Sequence, residues 1–271
     1  MSRIKNCFDE LKRQHKQALI PYLTAGDPNV ATTLGLMHAL VQNGADLIEL
    51  GFPFSDPSSD GPVIQRAIER ALAKKTTLRH VLEIVHQFRA TDQTTPVVLM
   101  GYLNPVECMG YQKFTDSALA AGVDGVLLVD MPPEESHELH QILRQGGLET
   151  IYLLAPTSSE ERIEAICRQS SGYVYYVSLK GVTGASNLDI ESVTSNLKRI
   201  RKHTNLPLGV GFGIRDAESA ANIAKVADAV VVGSALINRI AELQDIDNHS
   251  AVNLEQHTSL IGDMRKAMDQ R

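Results

Sequence analysis

The chain has 271 residues, with 26 Lys and Arg against 32 Asp and Glu for a formal net charge of −6, and it contains no tryptophan. This acidic balance excludes sequence-independent nucleic-acid binding and adhesion to anionic lipid, both of which rely on many basic contacts. It leaves room for a small anionic ligand, because a few backbone N–H groups can hold a phosphate without help from net charge.

Residues 1–17 read as a helix ahead of the first strand. Short apolar runs and longer amphipathic segments then alternate: a strand over 18–24, a helix over 32–43, a strand over 45–51, a loop over 52–61, and helices over 63–74 and 78–90. Strands over 96–102 and 123–130 follow, then a helix over 134–145, a strand over 150–155 and a helix over 160–169. The remainder reads as a strand over 173–179, a helix over 189–203, a strand over 208–212, a helix over 216–226 and a strand over 227–233, with a further helix beyond 245. Most of these strands are continuously apolar rather than alternating, as expected for parallel strands covered on both faces. Ser159 and Asp216 stand where N-caps are needed, and Gly146, Gly147 and Gly172 follow helical runs as C-terminal stops do. Eight strands alternating with helices predict an α/β fold, a (β/α)8 TIM barrel with extra N- and C-terminal helices, as one domain over 1–271. The competing doubly wound sheet would have fewer strands and a GxGxxG after the first, and no such motif follows it.

The three cysteines, Cys7, Cys108 and Cys167, are widely spaced and form no CxxC, so neither a disulfide framework nor a thiolate metal site is indicated. The N-terminal stretch lacks the apolar core of a signal peptide, and no segment approaches the roughly 20 apolar residues of a membrane span. A reduced, cytoplasmic protein is the expectation.

In such a barrel the functional groups gather where strands end and the following loops begin. Glu49 interrupts the apolar run 45–51 and shares a strand face with Leu47. Desolvation there raises a carboxyl pKa toward the range useful for proton transfer near neutrality. A buried Glu paired with a Lys or Arg elsewhere fits the spacing equally well. Asp60 ends a Pro- and Ser-rich loop just ahead of the 63–74 helix, and spacing alone favours a role at that helix N-terminus. Glycines cluster after the last three strands: Gly181 and Gly184, then Gly209, Gly211 and Gly213, then Gly233 beside Ser234. Barrel phosphate sites use the loops after the seventh and eighth strands and the start of a short extra helix, so phosphate binding is favoured over ordinary turns. His137 and His140 read as solvated and Cys108 as a free thiol. No metal and no organic cofactor is expected in this chain.

The stretch from Ile48 to Gln65, IELGFPFSDPSSDGPVIQ, closely resembles the signature of the tryptophan synthase alpha chain family. PYLTAGD at 21–27, MGYLNP at 100–105, GVTG at 181–184 and GVGFGI at 209–214 are similar to the family's other motifs, so the resemblance runs from the first strand to the eighth. It implies retro-aldol cleavage of indole-3-glycerol phosphate to indole and glyceraldehyde 3-phosphate. Glu49 then matches the acid/base, Asp60 the anion that stabilises charge on the indole ring, and Tyr175 a phenol that orients the site. This role for Asp60 displaces the capping role. By the same resemblance Tyr22, Ile64, Met100, Tyr102, Leu127, Val129 and Phe212 wall the indole, and Gly184, Gly213, Gly233 and Ser234 cradle the phosphate. Residues 178–189 match a closing lid from which Thr183 reaches Asp60. Leu179, beside Lys180, stands where some members carry Arg, which alters the lid's ion pairing.

The resemblance also implies a partner, the tryptophan synthase beta chain, in an alpha2-beta2 heterotetramer. Pyridoxal phosphate would belong to that beta chain. Pro53, Phe54, Pro57, Asn104 and Pro132, with segments 103–109 and 131–133, lie at one barrel end and are expected to present apolar residues on exposed loops for docking. Two other readings are a non-catalytic activator of the beta chain that keeps the phosphate site, and a different phosphate-binding barrel enzyme such as a sugar-phosphate isomerase.

Overall fold

Parallel strands must be returned through crossover connections, and the chain supplies a helix for nearly every return. The computed structural model describes residues 2–178, 189–211, 213–245 and 251–270. Helix α1 (Arg3–Arg13) precedes β1 (Ala18–Thr24) and α2 (Val30–Gln42), and β2 (Ile48–Gly51) leads into α3 (Pro62–Ala73) and α4 (Leu78–Arg89). Next come β3 (Val97–Gly101), α5 (Leu103–Met109), α6 (Tyr111–Ala121), β4 (Gly125–Leu128) and α7 (His137–Gly146). The strands β5 (Glu149–Ile151) and β6 (Leu153–Leu154) are followed by α8 (Glu160–Gln169), β7 (Val174–Val177), α9 (Ile190–Ile200) and β8 (Leu208–Gly211). The last elements are α10 (Ala217–Ala224), β9 (Ala229–Val232), α11 (Ser234–Ala241) and α12 (Ala251–Asp269).

The sheet order is β5-β4-β3-β2-β1-β9-β8-β7-β6, and neighbours pair in parallel. Its two edge strands are separated in the chain by the single residue Tyr152, with β5 pairing with β4 and β6 with β7. The expected fifth strand is therefore one strand in two pieces, and the sheet closes into the predicted barrel. Across the break, the Tyr175 N–H donates to the Tyr152 carbonyl at 3.1 Å and the Ser171 N–H to the Thr150 carbonyl at 2.9 Å. Tyr152 packs in the outer core, where its hydroxyl donates to Ser136 Oγ at 2.8 Å.

Strand alternation sorts the side chains into two cores. Ala18, Ile20, Leu47, Val98, Leu127, Ile151, Ala229 and Val231 fill the barrel together with Ile4, Phe8 and Leu11 of α1, which seals the end where the strands begin. The intervening residues, among them Leu19, Ile48, Leu50, Val126 and Val230, pack outward among the helices. The expected caps are present: Ser159 accepts the Arg162 N–H and Asp216 the Ser219 N–H, while Gly147 ends α7 at φ 89°. One correction concerns residues 103–109, expected on an exposed loop, where the structure has α5; α6 follows it over a stretch to which the sequence reading assigned no element. The α6 face that packs inward is Phe114, Thr115, Ala118 and Ala121, correctly spaced for a helix but too small and polar to stand out as a stripe. Among the described residues no helix is long and apolar enough to cross a membrane.

At the sealed end, three aspartates tie neighbouring strands together. Asp46, Asp124 and Asp228 donate their N–H groups to the carbonyls of Leu19, Val97 and Leu208 at 2.9, 2.9 and 3.0 Å. Their carboxylates accept the N–H groups of the same three residues at 2.8, 2.8 and 2.7 Å. Each carboxylate also meets an arginine, namely Arg265 for Asp46, Arg3 and Arg89 for Asp124, and Arg201 for Asp228. Asp124 and Arg89 are the most enclosed pair, with side chains 5% and 7% exposed. Removing one partner of such a pair strands a charge, at a cost of about 3–5 kcal/mol. Asp124→Ala is therefore expected to lower stability to urea by about 3 kcal/mol or more. Asp9→Ala, in the exposed pair with Lys5, should change it by about 0.5 kcal/mol or less.

Candidate active site

The open end of the barrel, where strands finish, encloses a cavity of about 500 Å³. Glu49 enters it from β2. Its neighbours Ile48 and Leu50 belong to the outer core and Leu47 to the inner one, so the period-two geometry of a strand turns Glu49 inward. The residue is fully buried. Its Oε1 accepts a hydrogen bond from the Tyr173 hydroxyl at 2.5 Å, while the buried Oε2 has no protein partner. Burial pushes the carboxyl up to about 7, against the smaller downward pull of the Tyr173 hydrogen bond. Among the described residues no Lys or Arg pairs with it, so none of them makes it a salt-bridged core glutamate.

Asp60 sits on the wall formed by the loop after β2. The N-cap of α3 is Gly61, without a side-chain capping bond, so the capping role that spacing favoured is not what the aspartate does. Its Oδ2 instead accepts from the Tyr102 hydroxyl at 2.7 Å, and that same hydroxyl accepts the Ser59 N–H at 3.0 Å. Burial raises the Asp60 carboxyl pKa, opposed by the Tyr102 donor. Phe54 packs on the Tyr102 ring with centroids 5.3 Å apart, so the loop is pinned at both ends of one tyrosine.

Tyr22 and Tyr175 complete the inner wall. Both phenols are kept protonated: burial raises each pKa first, and nearby carboxylates raise it further. A Cβ at Gly211 would overlap the Tyr175 hydroxyl, so the glycine is what admits that ring. Ile64, Met100 and Val129 line the cavity as expected. Of the other expected wall residues, Leu127 lies in the inner core with Val98 and Ile151, against which Met100 and Val129 pack, and Tyr102 donates its hydroxyl to Asp60. Tyr173 is the group that sequence reasoning missed. It lies two residues before Tyr175 on the same face, and that spacing was the available signal.

Across the cavity, Gly213, Gly233 and Ser234 converge from the ends of β8 and β9. Gly213 has φ 76°, a left-handed conformation that side chains disfavour. Gly233 precedes α11 without a side-chain cap, and the turn's backbone bonds begin with Leu236 N–H to the Gly233 carbonyl at 2.9 Å. The N–H groups of Ser234 and Ala235 come before that first bond, and the helix dipole favours an anion beside them. Thr183, Gly184 and Phe212, with Leu179 and Lys180, lie outside the described residues. At the borders of the expected lid, Ser178 Oγ donates to the Gly211 carbonyl at 2.8 Å and Asp189 caps α9.

The expected docking residues do lie at this end, after β2, β3 and β4, but their exposure differs from expectation. Pro53, Met131 and Pro133 are buried, Phe54, Pro57 and Pro132 half-buried, and Asn104 exposed on α5. Pro53 and Pro133 are covered rather than exposed, leaving a smaller apolar surface than the composition suggested.

The family profile described as "Tryptophan synthase alpha chain" matches residues 8–269. The tryptophan synthase alpha chain of Thioalkalivibrio sulfidiphilus is 62% identical over 270 residues, covering 99% of this chain and all of that one. Its counterpart in Nitrosococcus oceani is 56% identical, with 99% and 98% covered. Among solved structures, tryptophan synthase subunit alpha from Legionella pneumophila superposes with a TM-score of 0.92 at 46% identity over the full length of both chains. A chain of Mycobacterium tuberculosis tryptophan synthase in an aminoacrylate-bound form gives 0.86 at 33% identity, covering 99% of this chain and 100% of that chain.

An acid whose folded pKa is raised holds its proton more tightly folded than unfolded. The stability it confers is complete below the ordinary value of 4.5 and is lost as pH rises through about 7. The stability of Glu49→Gln relative to the unsubstituted chain should therefore increase from pH 4.5 to 7 and level off above, as read from urea midpoints. Tyr173→Phe removes the donor that favours the carboxylate and should move the upper limit of this window to higher pH.

Proposed function

The chain belongs to the tryptophan synthase alpha chain family, and we propose that Glu49 and Asp60 are the groups with which it cleaves indole-3-glycerol phosphate into indole and glyceraldehyde 3-phosphate. The observation that carries this reading is a buried carboxyl with a pKa of about 7 facing a cavity that also holds a second, tyrosine-held carboxyl.

Breaking the bond between indole C3 and the glycerol chain requires a proton at C3 and the removal of one from the adjacent hydroxyl. Near neutrality Glu49 is populated in both protonation states, so one group serves both transfers. Protonated at first, it delivers its proton to C3; as the carboxylate it then takes the hydroxyl proton while the C–C bond electrons return to the ring. Protonation makes the indole cationic at its ring nitrogen. Asp60, held by Tyr102, is the anion that accepts the ring N–H and stabilises the charge as it develops. Tyr175, admitted by Gly211, orients the site. Tyr22, Ile64, Met100 and Val129 supply the apolar wall for the ring. The phosphate rests on backbone N–H groups at Gly213, Gly233 and Ser234, with Gly184 added from the lid by resemblance.

This chemistry calls for no cofactor in this chain. The partner is the beta chain, to which pyridoxal phosphate belongs, in an alpha2-beta2 assembly. Phe54, Pro57, Asn104 and Pro132 lie on the proposed contact face, with Pro53 beneath it shaping the loop. Direct transfer across that face keeps uncharged indole from escaping. The free cysteines and the absence of a membrane-length helix among the described residues fit the cytoplasm.

General acid/base groups contribute about 10²- to 10⁴-fold. Glu49→Gln should accordingly slow indole release from indole-3-glycerol phosphate at least about a hundredfold, with and without beta chain. Equal rates for the two proteins in the presence of beta chain would show that the chain only activates its partner.

A further inference from the structure

We propose that Arg215 is an electrostatic guide for the phosphate end of the substrate, an inference that rests on the phosphate reading given above. The site has an electrostatic difficulty. Its lining includes the carboxylates of Glu49, Asp60 and Asp189, in a chain of net charge −6, and it must admit a doubly charged phosphate ester. Backbone N–H groups bind an anion once it has arrived, but they carry only partial charges and act at short range. Among the described residues that line the cavity, Arg215 is the sole Lys or Arg.

Its placement suits the task. Arg215 follows Gly213 by two residues and lines the same cavity as Gly233 and Ser234. The backbone there is fixed, since the N–H groups of Arg215 and Asp216 both donate to Ser219 Oγ at 3.1 Å, inside the capping box that starts α10. The side chain is free to move: it is 62% exposed, and its one ionic partner among the described residues is Asp216, with Nε 3.7 Å from Oδ2. The other carboxylate oxygen of Asp216 is already occupied by the Ser219 N–H at 2.8 Å. A mobile guanidinium in that position attracts a phosphate from solution and adds to its binding, without touching the bond that breaks.

The test uses indole-3-propyl phosphate and its phosphate-free counterpart indole-3-propanol. Binding is followed by ligand indole fluorescence, which the tryptophan-free chain does not obscure. An exposed ionic contact corresponds to a few-fold change in affinity. Arg215→Gln should weaken the phosphate ligand about three- to fivefold at low salt, and the difference should fade at about 1 M salt, where the screening length is ~3 Å. Indole-3-propanol should bind both proteins alike, Arg215→Lys should restore most of the loss, and kcat should stay unchanged while KM rises. If Arg215→Gln binds the phosphate ligand normally while Gly213→Val, which disturbs the left-handed backbone of the cradle, weakens it, the guide is overturned and the phosphate site stands. If neither substitution weakens it, both readings fall. Equal weakening of the phosphate and the alcohol would assign Arg215 a structural role and also overturn the proposal.

Discussion

A carboxyl group inside an apolar barrel has to be either neutral or hydrogen-bonded, and much of this active site follows from how Glu49 meets that demand. Desolvation favours its protonated form and the Tyr173 hydroxyl favours the ionised one. The result is a group balanced between the two states near neutral pH. That balance needs a dry floor, which α1 provides by filling the barrel with Ile4, Phe8 and Leu11. It also needs a donor from across the barrel: Tyr173 lies just ahead of β7, separated from β2 by β1, β9 and β8 in the sheet.

The two ends of the barrel divide the carboxylates by purpose. At the sealed end Asp46, Asp124 and Asp228 are satisfied by backbone N–H groups and arginines. At the open end Glu49 and Asp60 each take a single tyrosine hydroxyl and meet no arginine or lysine among the described residues. Fully satisfied carboxylates hold strands in register; under-satisfied ones facing a cavity remain available to a ligand.

Much of this was legible in the chain. Continuous apolar runs marked the strands because parallel strands are covered on both faces, and Glu49 stood out as a charge inside one such run. Local rules failed where the deciding contact was distant in sequence. The partnership of Asp60 with Tyr102 spans 42 residues and that of Glu49 with Tyr173 spans 124, so spacing suggested a helix cap for the first and nothing for Tyr173. The α6 helix escaped notice because its buried face is built mainly from alanine and threonine. Pro53, Met131 and Pro133 read as exposed because proline-rich loops usually are, yet here they are buried.

The break at Tyr152 divides the barrel into two contiguous arcs, β5 back to β1 and β9 back to β6, joined along β1–β9 and at the seam. The arcs carry different parts of the site: Glu49 and Asp60 belong to the first, while Tyr173, Gly213 and Ser234 belong to the second. A substrate with its indole against one arc and its phosphate on the other spans the boundary like a strap. Any displacement of one arc against the other then changes the spacing between the two carboxylates and the glycine turns that face them.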